Sequence, residues 1–141
     1  MKRIFGGLAV LALAWGLGTA AARAADAPGV QVQTLMESGA SWDGRPYAAY
    51  PSGAPLLTVL KITIPAHSAL PWHTHPMPNA AYVLSGELTV EKKDSGEKRL
   101  LKQGDVLPEM VGEYHRGVTG DQGVELIVFY AGTRGMPLSH Q

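Results

Sequence analysis

Pro71-Trp72-His73-Thr74-His75-Pro76-Met77-Pro78-Asn79 is the stretch on which the reading of this chain turns. Each of its prolines has a fixed φ and pushes the preceding residue toward extended backbone, so the segment is not helical. Side chains on extended backbone alternate between faces, which puts His73 and His75 on one face. Two imidazoles at this spacing can converge on one point. If that point is a metal ion, the rest of its shell must come from elsewhere in a chain with five histidines. His67, His115 and His140 are the candidates. His115 falls in a predicted strand far along the sequence and can reach across a barrel. His140, beside the terminus, is expected to fray. His67 reads as a loop residue.

The flanks predict strands. Val30–Met36 (VQVQTLM) alternates apolar and polar residues and reads as a first strand. Residues 39–53 are rich in Gly, Ser and Pro, with Trp42, Tyr47 and Tyr50 interleaved, and read as a loop or an edge hairpin. Leu56–Ile64 is dominated by strand formers and ended by Pro65. Ala80–Glu91 reads as strand, a glycine break at Gly86, then strand. Asp94-Ser95-Gly96 is a hairpin turn before Glu97–Leu101, and Gly104-Asp105 is a second turn. Val106–Leu107, Glu113–Val118 and Val124–Tyr130 supply further short strands. The tail, residues 131–141, has no strand character and could pack on a neighbour's sheet. Close-set turns without a helical period indicate an all-β sandwich or barrel.

The start of the chain reads as an address. Lys2 and Arg3 precede an apolar run, Gly6 to Gly18, that is too short to span a bilayer, and Ala22-Arg23-Ala24 offers a small-x-small cleavage site. The alternative is an uncleaved anchor. Residues 1–24 are therefore expected to be a signal peptide, residues 25–55 an N-terminal strand and loop region, and residues 56–141 the barrel core and tail. The expected destination is outside the cytoplasm, periplasmic or secreted. No twin arginine precedes the apolar run, so export as an unfolded chain is expected, with any metal acquired afterwards.

The formal charge is 12 Lys and Arg against 12 Asp and Glu. Removing Lys2, Arg3 and Arg23 leaves 9 against 12, a balance of −3. No basic patch argues for nucleic acid, and none argues for an anionic membrane once the leader is gone. The absence of cysteine excludes a disulfide framework, a thiolate metal site and a cysteine nucleophile.

The spacing of these residues resembles that of the cupin family. The first cupin motif runs glycine, five residues, His-x-His, three or four residues, glutamate, six residues, glycine. Here His73 and His75 are followed by three residues, Asn79, six residues and Gly86. The second motif runs glycine, five residues, proline, x, glycine, two residues, histidine. Here it is Gly104, five residues, Met110, Val111, Gly112, two residues and His115. The resemblance covers roughly Leu56 to Tyr130. It implies a double-stranded β-helix, or jelly-roll barrel. It also implies a metal site on His73, His75 and His115, with Asn79 in the glutamate's place as a weak neutral donor or a neighbour. Met110 replaces the second motif's proline, and His67 stands where the first motif begins with glycine.

Three neutral imidazoles leave the charge of a divalent ion uncompensated, which favours an anionic ligand and acidifies bound water. Imidazole suits iron, zinc, copper and nickel, and manganese is a further candidate; spacing does not choose among them. Glu113 shares His115's parity and is a candidate general base or acceptor for an imidazole N–H; the alternative is a solvated edge carboxylate. Trp72, Met77, Tyr82 and Tyr114 are candidates for the cavity mouth. Glu109 reads as an exposed turn residue. The functions implied are dioxygenase-like, isomerase or lyase chemistry on a small molecule, or non-catalytic metal or small-ligand binding. Open sheet edges make a homodimer the expected assembly.

Overall fold

The computed structural model describes residues 29–141. The expected leader, residues 1–24, lies outside the described residues, as does the start of the 25–55 region. The described chain contains no helix long and apolar enough to cross a membrane.

Six strands form in chain order: β1 (Pro55–Ile64), β2 (Asn79–Lys92), β3 (Lys98–Lys102), β4 (Val106–Pro108), β5 (His115–Val118) and β6 (Val124–Thr133). All pairings are antiparallel. β1 lies at one edge, paired along its whole length with β6. β2 organises the rest. Its first half pairs with β6 on one side and β4 on the other. Its second half, from Glu87 onward, pairs with β3 and β5. One strand thus passes from one sheet to the other, which folds the molecule into a double-sheet barrel.

The turn in β2 has a local cause. The register with β6 shifts between Val83 and Ser85, a β-bulge, and Gly86 follows with φ +79°. A Cβ at Gly86 would stand 1.9 Å from the Gly123 carbonyl oxygen. The bulge bends the strand and increases its twist, and glycine alone tolerates both the backbone conformation and the approach. Gly86 is therefore a bend within one strand and not the expected break between two.

Strand parity builds the core. Val124, Leu126, Val128 and Tyr130 on β6 point inward, as do Ala81, Val83, Leu88 and Val90 on β2. Ile64, Met77, Leu101 and Leu107 complete the cluster.

Two expectations fail. Val30–Met36 forms no strand. Val30, Val32 and Leu35 are exposed; alternation makes a strand only where a neighbouring ladder satisfies its backbone groups. The tail begins as strand, residues 131–133 continuing β6, and its end is tied down at His140 where fraying was expected. Thr74 and His140 exchange both backbone hydrogen bonds at 2.9 Å, and Met136 and Leu138 pack against the core. The 39–53 region is a small loop closed by the Ala40–Pro46 bridge, as expected.

Candidate metal centre

The histidines meet because their backbones are paired. His73 and His115 stand opposite one another in an antiparallel bridge and exchange both N–H···O bonds at 3.0 Å. Residues directly opposite in such a pair present their side chains on one face. His75, two residues on, shares that face, and Gly112 N–H donates to its carbonyl at 2.9 Å. The ring centroids lie 4.9 Å (His73–His75), 4.6 Å (His73–His115) and 5.0 Å (His75–His115) apart. One ring nitrogen from each lies within 4.8 Å of the others. His75 and His115 are buried, and His73 is half-buried.

All three rings have the same orientation chemistry. Nδ1 of His73 contacts the Pro71 carbonyl at 2.8 Å, Nδ1 of His75 the Leu138 carbonyl at 2.7 Å, and Nδ1 of His115 the Glu113 carbonyl at 2.9 Å. A carbonyl only accepts, so each Nδ1 carries a hydrogen and each neutral ring turns its Nε2 lone pair toward the shared point. This is how ligating histidines are held. His115 Nε2 is buried without a hydrogen-bond partner. Tied Nδ1 atoms, converging Nε2 atoms and an orphaned buried Nε2 fit a divalent metal ion.

Sequence reasoning missed the acid of the site. Glu109 is not an exposed turn residue: its side chain is 12% exposed and Oε2 lies 3.2 Å from His115 Nε2. The two atoms are close but make no hydrogen bond, and Oε2 has no other partner. Asn79's carbonyl accepts the Glu109 N–H at 3.0 Å, and the Tyr47 hydroxyl donates to the Glu109 carbonyl at 2.7 Å. These bonds pin the backbone so that the side chain turns inward. The available signal was its position: an acid between Pro108 and Met110, both buried.

Burial lowers His73 and His75 below the ordinary histidine range. Burial also opposes charge on His115, but the Glu109 carboxylate prevails and raises it. Burial disfavours the Glu109 anion, and the surrounding imidazoles, His115 first, more than offset this and hold it below the usual carboxylate range. Tyr130, also unforeseen, packs its ring 5.7 Å from that of His75. Burial and the Glu109 charge push its phenol up to about 12.

The other expected site residues scatter. Asn79 is buried on the inner side of β2, with both amide atoms unpartnered. Met77 shares the histidines' parity and is fully buried in the core. The Glu113 side chain pairs with Arg45; only its carbonyl serves His115. Trp72 and Tyr114, each adjacent to a ligand histidine, take the opposite face. Arg116 lies over Trp72 at 4.4 Å and Lys93 over Tyr114 at 4.9 Å. Tyr82 lies between the inward Ala81 and Val83, on the outer side of β2. His67 is exposed, in a left-handed backbone conformation with φ 54°. His140 serves through its backbone. Two surface grooves of about 360 and 350 Å³ are lined by residues such as Tyr50, Phe129 and Ala131, and by none of the three histidines.

Residues 60–130, half of the 141-residue chain, match the family described as Cupin domain. The chain is a cupin. Solved structures agree on the fold. This cupin is similar to the polyketide cyclase RemF from Streptomyces resistomycificus over 63% of its length and 61% of that chain, at 21% identity and a TM-score of 0.54. It is similar to the DMSP lyase DddQ from Ruegeria pomeroyi DSS-3 over 67% of its length and 45% of that chain, at 24% identity and a TM-score of 0.52. An RmlC-like cupin from Methanocaldococcus jannaschii, described as a double-stranded β-helix, matches 54% of this cupin over 70% of its own chain, at 18% identity and a TM-score of 0.50. This cupin thus spans less than two-thirds of the cyclase and about half of the lyase. No curated protein matches the sequence.

Proposed function

We propose that this cupin holds one divalent transition-metal ion on His73, His75 and His115 and acts outside the cytoplasm on a small, enolisable or aromatic substrate, by dioxygenase-like, isomerase or lyase chemistry. The observation that carries the reading is the convergence of three rings whose Nδ1 atoms are each committed to a carbonyl. The ion, when bound, supplies a Lewis acid for a substrate oxygen. The chain supplies the rest. The three imidazoles bind and orient, Glu109 sets a carboxylate beside His115, and Tyr130 closes the buried side beside His75. That two similar structures are named a polyketide cyclase and a DMSP lyase supports a small-molecule substrate. The exposed Val59 on edge strand β1, opposite Phe129, supports a homodimer.

A second reading, metal or ligand binding without turnover, is favoured by Glu109, a fourth protein group 3.2 Å from His115 Nε2. Elemental analysis of protein purified from its export compartment, beside His115→Ala, tests the metal. Stoichiometric metal lost in the variant supports the triad, and equal metal in both removes His115 from it. Oxygen uptake and product analysis with enolisable diketones and catechols then separate the readings. Loaded protein that converts no substrate favours the second.

A further inference from the structure

We propose that Glu109 is the anionic ligand of this metal site, delivered from the turn after β4 in place of the glutamate that the first cupin motif would carry at position 79. The inference rests on the proposed metal function and extends it to a residue outside the motif.

Three observations converge on Glu109. The first is acceptor opposition. With Nδ1–H of His115 given to the Glu113 carbonyl, the neutral ring presents a lone pair at Nε2, and a carboxylate oxygen also only accepts. These atoms face each other at 3.2 Å, both buried and both without a hydrogen-bond partner. Two buried acceptors so placed repel unless positive charge sits with them: a proton on Nε2 pairs them in the metal-free chain, and a bound metal ion would replace that proton and take both atoms. The second is the absence of another counter-charge. Among the described residues, the ion pair of Glu109 is with His115; no Lys or Arg is within ion-pair distance of it. A buried carboxylate is tolerated when paired or bound to metal. The third is adjacency to the vacated motif position. The Glu109 N–H donates to the Asn79 carbonyl at 3.0 Å, so a carboxylate supplied here serves the same end of the barrel as one at 79.

The charge follows. Three neutral imidazoles and one carboxylate leave a divalent ion with a net +1 rather than +2. That favours monoanionic ligands over dianionic ones, a narrower preference than the histidines alone would set. Asn79, relieved of charge compensation, keeps a neutral amide whose Nδ2 and Oδ1 are both buried and unpartnered, and Nδ2 can donate to an oxygen of a bound ligand.

The test is Zn²⁺ and Co²⁺ titration of the full mature chain against a chromophoric chelator, with the Co²⁺ visible spectrum as a second readout. Glu109→Gln keeps the shape and removes the charge. It should weaken binding by about 100-fold or more, the upper end of what even an outer partner contributes, and change the Co²⁺ spectrum. Glu109→Asp, with the charge retained but withdrawn by one methylene, should fall between. Adding Asn79→Glu to Glu109→Gln should restore affinity from the motif position. Glu97→Gln, in an exposed turn, is the control. Circular dichroism of the metal-free variants confirms the fold; should Glu109→Gln not fold, Glu109→Asp carries the test. Glu109→Gln with wild-type affinity and spectrum overturns the inference and leaves the three-histidine reading standing. Wild-type protein that binds neither ion overturns both.

Discussion

Ending the chain after Pro137 should damage the metal site while sparing the barrel. His75 Nδ1–H donates to the Leu138 carbonyl at 2.7 Å, and Thr74 exchanges two backbone hydrogen bonds with His140 at 2.9 Å. Deleting residues 138–141 removes all three. The first loss frees the His75 ring to rotate and to change tautomer. Removing an orienting partner of a ligand costs about 10–100-fold in metal affinity, or roughly 1.4–2.8 kcal/mol at 1.4 kcal/mol per tenfold. The other two bonds, at about 0.5–1.5 kcal/mol each, should lower the stability of the metal-free chain by about 1–3 kcal/mol, and the lost packing of Leu138 against the core adds to this. Zn²⁺ competition titration reads the first quantity, and urea unfolding in chelator reads the second. His140→Ala keeps every backbone bond and should match the wild type in both. A truncated chain that binds Zn²⁺ as tightly as the full one would refute the idea that the tail orients His75.

Asp43 and Lys92 form a buried pair at 2.7 Å, their side chains 2% and 8% exposed. Burial opposes the Asp43 charge, but hydrogen bonds from Lys92, Ser41 and the Arg45 backbone prevail and hold its carboxyl below the usual range. A depressed folded value means that the stability is present above the unfolded value of about 3.9 and lost as pH falls through the folded one. Urea midpoints should therefore show an acid step below about pH 4 that is smaller in Asp43→Asn, the remainder belonging to other depressed carboxylates such as Glu109. At neutral pH that variant should lose stability toward the lower end of about 3–5 kcal/mol, because Asp94 at 3.7 Å remains beside Lys92. Gly86→Ala should destabilise by well over the roughly 1 kcal/mol of a positive-φ alanine, because its Cβ meets the Gly123 oxygen. Gly96→Ala, with φ +69° and open space, isolates the backbone cost. Equal melting temperatures for the two variants would remove the clash from the account.

Much of this molecule was legible because its strands write their own parity. Val124–Tyr130, Leu56–Ile64 and the proline-boxed histidines show in one dimension which side chains share a face, and the separation of His73, His75 and His115 within two spaced motifs pointed to the three histidines that the fold brings together. Those properties depend on neighbours in sequence, through backbone sterics and a period of two. The sequence misled where the outcome depends on a partner. Val30–Met36 alternates as a strand does, yet finds no ladder; residues 131–141 look loose, yet close on Thr74.

The site shows the same division. Residue type and spacing made three imidazoles available and emptied position 79 of charge. Which nitrogen each ring turns inward is set by carbonyls of Pro71, Glu113 and Leu138, the last 63 residues from His75. That an acid from the turn after β4 comes to lie 3.2 Å from His115 depends on hydrogen bonds from Tyr47 and to Asn79 that no local pattern encodes. Side-chain direction on a strand is a local property of the backbone; the aim of a turn residue is a property of whatever the folded chain packs around it.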